Sequence, residues 1–88
     1  MLKKEKMPTI YLLNSIKIDV YSREHLPPHF HAIYAEYEIL IRIDNLDTLI
    51  GNLPQTQYRQ VIDWAKKNQN FLMNNFKILN HRFYENKN

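Results

Sequence analysis

The chain contains no cysteine and one glycine, and it has no apolar run long enough to cross a membrane. The lack of cysteine excludes disulfides and thiolate metal sites, which fits a reducing compartment. The absence of a Gly-rich phosphate loop argues against a nucleotide-binding enzyme. The charged start, Met1–Lys6, lacks the apolar segment of a signal peptide. We therefore expect a cytoplasmic protein.

The 88 residues are enough for one domain, and their charge is unevenly distributed. The formal net charge is +3. Residues 7–63 carry four cations against seven acids, whereas residues 64–88 carry five cations against one acid. A basic C-terminal end could meet phosphate or an acidic partner. An ordinary solvated surface is the alternative, because scattered lysines fall short of a clear nucleic-acid footprint.

Alternating apolar and polar residues predict a sheet in the first part of the chain. Five strands are expected, at residues 8–13, 16–22, 29–34, 37–43 and 48–50, and the third and fourth are joined by a two-residue turn at Ala35-Glu36. We expect a single domain over residues 7–82, a disordered N-terminal extension over residues 1–6 and a flexible tail over residues 83–88.

From Gln55 onwards the apolar residues recur at the spacing of an α-helix. Pro54 suits a first helical turn, and the polar run Asn68-Gln69-Asn70 predicts a break between two short helices. The fold class is therefore α+β. An antiparallel sheet of four to five strands is followed by two C-terminal helices (ββββ(β)αα) packed on one sheet face.

Three of the four histidines fall within His25–His31, around the only Pro-Pro pair. Two prolines stiffen this segment. If Ala35-Glu36 closes a hairpin, His29 lies opposite Arg42 and His31 opposite Leu40. Both histidines would then share the exposed sheet face, and Phe30 would point to the core. Lys17, Asp19 and Tyr21 alternate away from the core and could extend that polar face.

The residues of this face permit three interpretations. Imidazole can move a proton and guanidinium can hold phosphate, so the face could perform acid–base chemistry on a phosphodiester. His25, His29 and His31 could instead share a metal, although their spacing matches no standard zinc signature. In the third interpretation the prolines stiffen the start of a strand and the histidines bond to the backbone. The sequence assigns no cofactor and no metal.

The segment Glu24-His25-Leu26-Pro27-Pro28-His29-Phe30-His31 resembles the mark of a family of small bacterial and archaeal proteins of unknown function. That mark reads [DE]-H-x-P-P-H-F-H. The similarity extends from Met7-Pro8-Thr9-Ile10 through Gly51-Asn52-Leu53-Pro54 to the helix around Trp64. The chain departs from the family pattern at three turn positions, where glycine is usual and this chain has Ser15, Ala35 and Leu46.

The resemblance implies a toxin-like component of a bacterial two-gene toxin–antitoxin module. Its partner would be a small antitoxin-like protein from a neighbouring gene, and its target RNA or the translation machinery. The candidate catalytic residues are His25, His29, His31, Tyr21, Glu38 and Arg42. The first alternative is a non-catalytic module or regulator that binds protein or nucleic acid, and the second is a metal-dependent hydrolase.

Overall fold

Five antiparallel strands form one sheet and pair in the order in which they occur along the chain. The structure, a computed structural model, describes residues 8–84, so the predicted leader and residues 85–88 of the predicted tail lie outside the described residues. The strands are β1 (Thr9–Leu13), β2 (Ile16–Asp19), β3 (His29–Tyr34), β4 (Tyr37–Arg42) and β5 (Thr48–Gly51). They are followed by α1 (Gln55–Lys67), α2 (Gln69–Leu79) and a 3₁₀ turn (His81–Phe83). The predicted α+β architecture is confirmed, with the fifth strand present.

The hairpin of β3 and β4 has the predicted register. Tyr34 pairs with Tyr37 across the Ala35-Glu36 turn, His31 pairs with Leu40, and His29 pairs with Arg42. A shift by one residue would have moved every side chain to the opposite face. The register therefore places His29 and His31 on one face and Phe30 on the other.

One face of the sheet is covered by the two helices and forms the core. Its largest strand residue is Phe30, which packs with Phe76 and Leu72 of α2 and Val61 of α1 in one buried cluster. The strand residues of that cluster are Ile16, Ile18, Val20, Phe30, Ala32, Ile39, Ile41 and Ile43. The opposite side, called here the open face, carries the side chains that alternate with these along the strands.

The second strand is shorter than predicted. β2 ends at Asp19 instead of residue 22, and residues 20–28 form a loop to β3. Arg23 has a φ of 61°, a left-handed value that a strand does not accommodate. Pro27 and Pro28 also lack the N–H that a strand ladder needs. Because residues 20–28 are not part of the sheet, this loop, called here the histidine loop, can cross over the open face.

The predicted helix break is confirmed at Asn68. Its side-chain Nδ2 donates to the carbonyl oxygen of Trp64 at 2.7 Å, and its backbone N–H donates to Ala65 at 3.0 Å. The Asn68 carbonyl in turn accepts the N–H of Leu72 in α2. One asparagine thus satisfies carbonyls at the end of α1 and begins α2. Neither helix within residues 8–84 is long and apolar enough to cross a membrane.

Two of the three turn positions singled out from the sequence, Ser15, Ala35 and Leu46, adopt a left-handed backbone. Ala35 has a φ of 53° and Leu46 a φ of 63°. At the third turn the left-handed residue is Asn14, with a φ of 57°, and not its neighbour Ser15. Left-handed backbone is unfavourable for residues with a Cβ. Ala35 and Leu46 therefore carry backbone strain, whereas asparagine tolerates this conformation at residue 14.

Candidate functional site

The candidate site is built on the two histidines that β3 directs to the open face. The predicted exposure of these histidines is wrong, because His29 is only 6% exposed and His31 only 9% exposed. The histidine loop brings the Glu24 carboxylate against both rings, and the Tyr21 ring packs edge-on against His31, with 4.8 Å between centroids. The site is thus a sheltered cluster on the sheet.

Glu24 joins the two histidines. Its Oε1 lies 3.0 Å from Nε2 of His29, and its Oε2 lies 3.1 Å from Nε2 of His31. Each carboxylate oxygen therefore faces one imidazole. We call Glu24, His29 and His31 the triad.

The other nitrogen of each imidazole also has an acceptor. Nδ1 of His29 lies 2.9 Å from the carbonyl oxygen of Pro27, which can only accept a hydrogen bond. Nδ1 of His31 lies 2.9 Å from Oε2 of Glu38 on β4. Nδ1 of His29 therefore carries a proton. Both nitrogens of His31 face carboxylates, so a neutral His31 ring can donate to only one of them, and in its Nδ1–H tautomer it donates to Glu38. The two Nε2 atoms then have lone pairs in the neutral rings, and both point toward Glu24.

A lone pair cannot bond to an ionised carboxylate, so a cation has to lie between each Nε2 and Glu24. A proton serves this purpose by making the imidazole cationic or the carboxyl neutral. A metal ion serves the same purpose by binding the Glu24 carboxylate and both Nε2 atoms as ligands. The ligand atoms of Glu24, His29 and His31 all lie within 4.8 Å of one another, so this triad could hold a metal.

Asp19 and Tyr21 extend the cluster toward β1. The buried Asp19 carboxylate accepts the Thr9 hydroxyl at 2.7 Å and the Tyr21 hydroxyl at 3.2 Å. Burial and then the Asp19 carboxylate, followed by Glu38 and Glu24, raise the pKa of Tyr21 from 10.0 to about 12. Tyr21 is therefore a proton donor at neutral pH and is not a source of phenolate.

The structure brings together four of the six sequence-predicted catalytic residues: Tyr21, His29, His31 and Glu38. His25 is exposed, and the hydrogen bonds of the cluster do not include it. Arg42 pairs with His29 in backbone register, yet its guanidinium binds Asp44 with two bonds, at 2.6 and 3.0 Å. That bidentate contact lowers the pKa of Asp44 and directs the Arg42 cation away from the histidines.

The histidine loop is fastened to the C-terminal end of the described chain. Oδ1 of the buried Asn80 accepts the backbone N–H of Glu24 at 2.9 Å, and its Nδ2 donates to the carbonyl oxygen of Tyr21 at 3.0 Å. Nη2 of Arg82 donates to the carbonyl oxygen of Glu24 at 3.0 Å. Both backbone polar groups of Glu24 are therefore held by the segment that follows α2.

Sequence reasoning missed three residues of this arrangement as site residues: Glu24, Asn80 and Arg82. Glu24 had a visible signal, since it begins the [DE]-H-x-P-P-H-F-H segment. Asn80 and Arg82 had none, because they lie 56 and 58 residues from Glu24 and follow the last apolar stripe. Only the folded chain brings them together.

The fold and site define an α+β protein with a carboxylate-bridged histidine pair on the open face of a five-stranded sheet. Residues 15–77 match a protein family described as a domain of unknown function, DUF4160. Because the match covers most of the chain, the protein belongs to this family. Searches of the curated proteins and of the solved structures gave no match.

Proposed function

We propose that this protein is the toxin-like component of a bacterial toxin–antitoxin module, and that it acts on RNA or the translation machinery in the cytoplasm. Its site is the triad together with Tyr21 and Glu38. The antitoxin-like partner comes from a neighbouring gene. The main support is His31, whose two ring nitrogens lie between the carboxylates of Glu24 and Glu38, at 3.1 and 2.9 Å.

This arrangement suits proton transfer on a phosphodiester. An imidazole held between two carboxylates has a fixed orientation and a route for the proton that it accepts. The Glu38 side chain is half exposed, so the outer end of that route reaches the surface. A ribose hydroxyl placed at this surface could pass its proton to the cluster while its oxygen attacks the adjacent phosphate. The P–O5′ bond breaks as the new bond forms, and the departing 5′-oxygen takes up a proton from the protonated cluster.

A cation is needed to steady the phosphate, and Lys17 is the better candidate than Arg42. Lys17 is exposed on β2 and lies on the open face, two residues from Asp19 and in the row that contains Ile33 and Glu38. Arg42 is already paired with Asp44 by two hydrogen bonds. Lys17 can therefore reach a bound backbone phosphate without breaking an existing ion pair.

Expression in a bacterial host tests this proposal. We expect the wild-type chain to arrest growth and coexpression of the neighbouring gene to restore it. His31→Gln should abolish the arrest, and Lys17→Gln should weaken it. His25→Ala is the matched control, since it removes an exposed histidine of the same segment and should leave the arrest intact.

Circular dichroism of the purified His31→Gln protein must show a folded chain for the comparison to be valid. A folded His31→Gln protein that still arrests growth would sink the proposal. Incubation of the purified wild-type protein with total RNA then separates cleavage, which gives new RNA ends, from inhibition of translation, which leaves RNA intact.

The open face also favours a second candidate, a non-catalytic module that binds a protein partner. Leu12 and Ile50 are each 64% exposed there, and Ile33 and Leu40 are partly exposed between them. Register places all four on the side of the sheet that the helices leave uncovered. Exposed apolar side chains grouped in this way mark interaction surfaces.

Size-exclusion chromatography with the neighbouring gene's product tests the second candidate. We expect a stoichiometric complex that Ile50→Asp disrupts. If Ile50→Asp abolishes the complex while growth arrest continues, the open face binds the antitoxin-like partner of a toxin. If the wild-type protein forms the complex but neither arrests growth nor changes RNA, the binding module is the correct function.

A further inference from the structure

We propose that Glu24, His29 and His31 form a binding site for one divalent transition-metal ion of the Zn²⁺ class. The ligands are Nε2 of each histidine and a carboxylate oxygen of Glu24. The inference concerns the cluster of the proposed function but does not rest on it, because a metal titration reports the ligands whatever the biological target is.

The first argument is the direction of the lone pairs. The Pro27 carbonyl oxygen and the Glu38 carboxylate each hold the Nδ1–H of one histidine, at 2.9 Å in both cases. Metal-binding histidines characteristically donate their second ring nitrogen to a carbonyl or a carboxylate, which fixes the tautomer and the ring plane. In the neutral Nδ1–H tautomers both rings present an unprotonated Nε2, and both Nε2 atoms face the same carboxylate.

The second argument is distance. Ligand atoms at about 2.0–2.1 Å from a tetrahedral zinc ion lie roughly 3.3 Å from one another. Nε2 of His29 lies 3.0 Å from Oε1 of Glu24, and Nε2 of His31 lies 3.1 Å from Oε2, so each imidazole is close to that value from a different carboxylate oxygen. The three ligand atoms lie within 4.8 Å of one another. Coordination of one ion therefore requires the three side chains to draw closer together than they are in this structure.

The third argument is the donor set. Two imidazoles and one carboxylate are borderline ligands that suit Zn²⁺ and related first-row ions better than Mg²⁺ or Ca²⁺. Three protein ligands leave one tetrahedral position open for water or substrate, which is the composition of catalytic zinc sites.

The fourth argument is charge. The carboxylates of Glu24 and Glu38 contact the two imidazoles, and the Asp19 carboxylate holds Tyr21, whose ring packs against His31. Asp19 and both histidines are buried. With neutral rings the cluster carries excess negative charge in a sheltered place, which is unfavourable. A divalent cation between Nε2 and Glu24 offsets that charge and uses both lone pairs.

Isothermal titration of the untagged, chelator-treated chain with Zn²⁺ tests the site. We expect one ion per chain with a Kd below about 1 µM. His31→Gln and Glu24→Gln should each weaken binding at least about 100-fold, because each removes one of three ligands. Glu38→Ala should weaken binding by about 10–100-fold, because it removes the acceptor that orients the His31 ring and removes no ligand.

His25→Ala is the matched control and should bind Zn²⁺ as the wild type does. Co²⁺ provides a second readout, since a tetrahedral site gives intense visible absorption bands that His31→Gln should abolish. Failure of the wild-type chain to bind Zn²⁺ or Co²⁺ would overturn the proposal. Equal losses of Zn²⁺ affinity in His25→Ala and His31→Gln would also overturn it, because they would indicate that Zn²⁺ binds to the histidines without a defined site.

The titration and the growth assay fail independently. Metal binding by a wild-type chain that does not arrest growth would support the metal site and contradict the toxin-like function. If the wild-type chain arrests growth but binds no metal, the toxin-like function is supported and the metal site is contradicted.

Discussion

The side-chain oxygen of Asn80 accepts the backbone N–H of Glu24 at 2.9 Å, across 56 residues of sequence. The amide of the same side chain donates to Tyr21 in the histidine loop and to Phe76 in α2. Asn80 is buried, so no water can replace these bonds without a rearrangement. The position of the Glu24 carboxylate over the two histidines therefore depends on a residue at the end of the last helix.

Asn80→Ala should consequently destabilise the protein and loosen the triad. Leaving the Glu24 N–H and the Tyr21 carbonyl unpaired costs about 2–4 kcal/mol in the free energy of unfolding. Urea denaturation measures this cost. Asn75→Ala is the matched control, because Asn75 also donates to the carbonyl four residues before it, at 2.9 Å, but its hydrogen bond is exposed and stays within α2. We expect that control to change the free energy of unfolding by less than about 0.5 kcal/mol, and similar losses in both variants would contradict the role of Asn80.

The register of β3 and β4 could be predicted because two independent signals agreed. The Ala35-Glu36 turn and the apolar positions from Phe30 to Ile43 require the same pairing, which then places His29 and His31 on one face. Burial of those histidines could not be predicted, because it depends on the path of residues 20–28 over the sheet. That path is set by the bonds of Asn80 and Arg82, which no local pattern reveals.

Arg42 is the opposite case, because its ion-pair partner could have been identified from the sequence. Residues two apart on a strand share a face, so Asp44 was always a possible partner for the Arg42 guanidinium. Cross-strand pairing with His29 received more weight in the prediction than this short-range ion pair. In the structure Arg42 and Asp44 form both hydrogen bonds of a bidentate pair, and the cation is directed away from the cluster.

The single glycine, Gly51, lies against the strand that supplies Glu38. Its φ is 84°, and a Cβ added there would overlap the carbonyl oxygen of Glu38. Gly51→Ala should therefore lower the free energy of unfolding by more than about 2 kcal/mol. It should also disturb the contact of Glu38 with His31, visible as shifts of the His31 ring signals in NMR spectra. Wild-type stability in Gly51→Ala would show that β5 can move away from β4 at no cost.

The turn between β3 and β4 offers a stabilising substitution. Ala35 is exposed and has a φ of 53°, which is unfavourable for any residue with a Cβ. Ala35→Gly should raise the free energy of unfolding by about 0.5–1 kcal/mol, since relief of the left-handed strain exceeds the added entropy of the unfolded chain. Thermal denaturation measures the gain.

Leu46→Gly is the informative comparison for Ala35→Gly. Leu46 also has a left-handed backbone, with a φ of 63°, but its side chain packs partly buried against the core. Loss of that packing should outweigh the relief of strain, so Leu46→Gly should be less stable than the wild type. If both glycine variants are more stable than the wild type, the backbone strain at Leu46 outweighs its packing. If both are less stable, relief of strain does not determine stability at either turn.

The phenol of Tyr21 should remain protonated well above the pH at which an exposed tyrosine ionises. Burial, followed by the charge and hydrogen bond of Asp19, raises the pKa of Tyr21 from 10.0 to about 12. Between these values the folded chain holds a proton that the unfolded chain has lost. The stabilising contribution of Tyr21 is therefore complete below pH 10 and disappears as the pH rises through about 12.

Near-ultraviolet tyrosinate absorbance of the chelator-treated protein tests the shift. The difference between wild type and Tyr21→Phe should stay flat through pH 10 and rise near pH 12. In Asp19→Asn the pKa of this phenol should fall but stay above 10.0, because the carboxylate is lost while burial persists. A Tyr21 signal that rises at pH 10 in the wild-type protein would mean that the phenol is solvated and does not face Asp19.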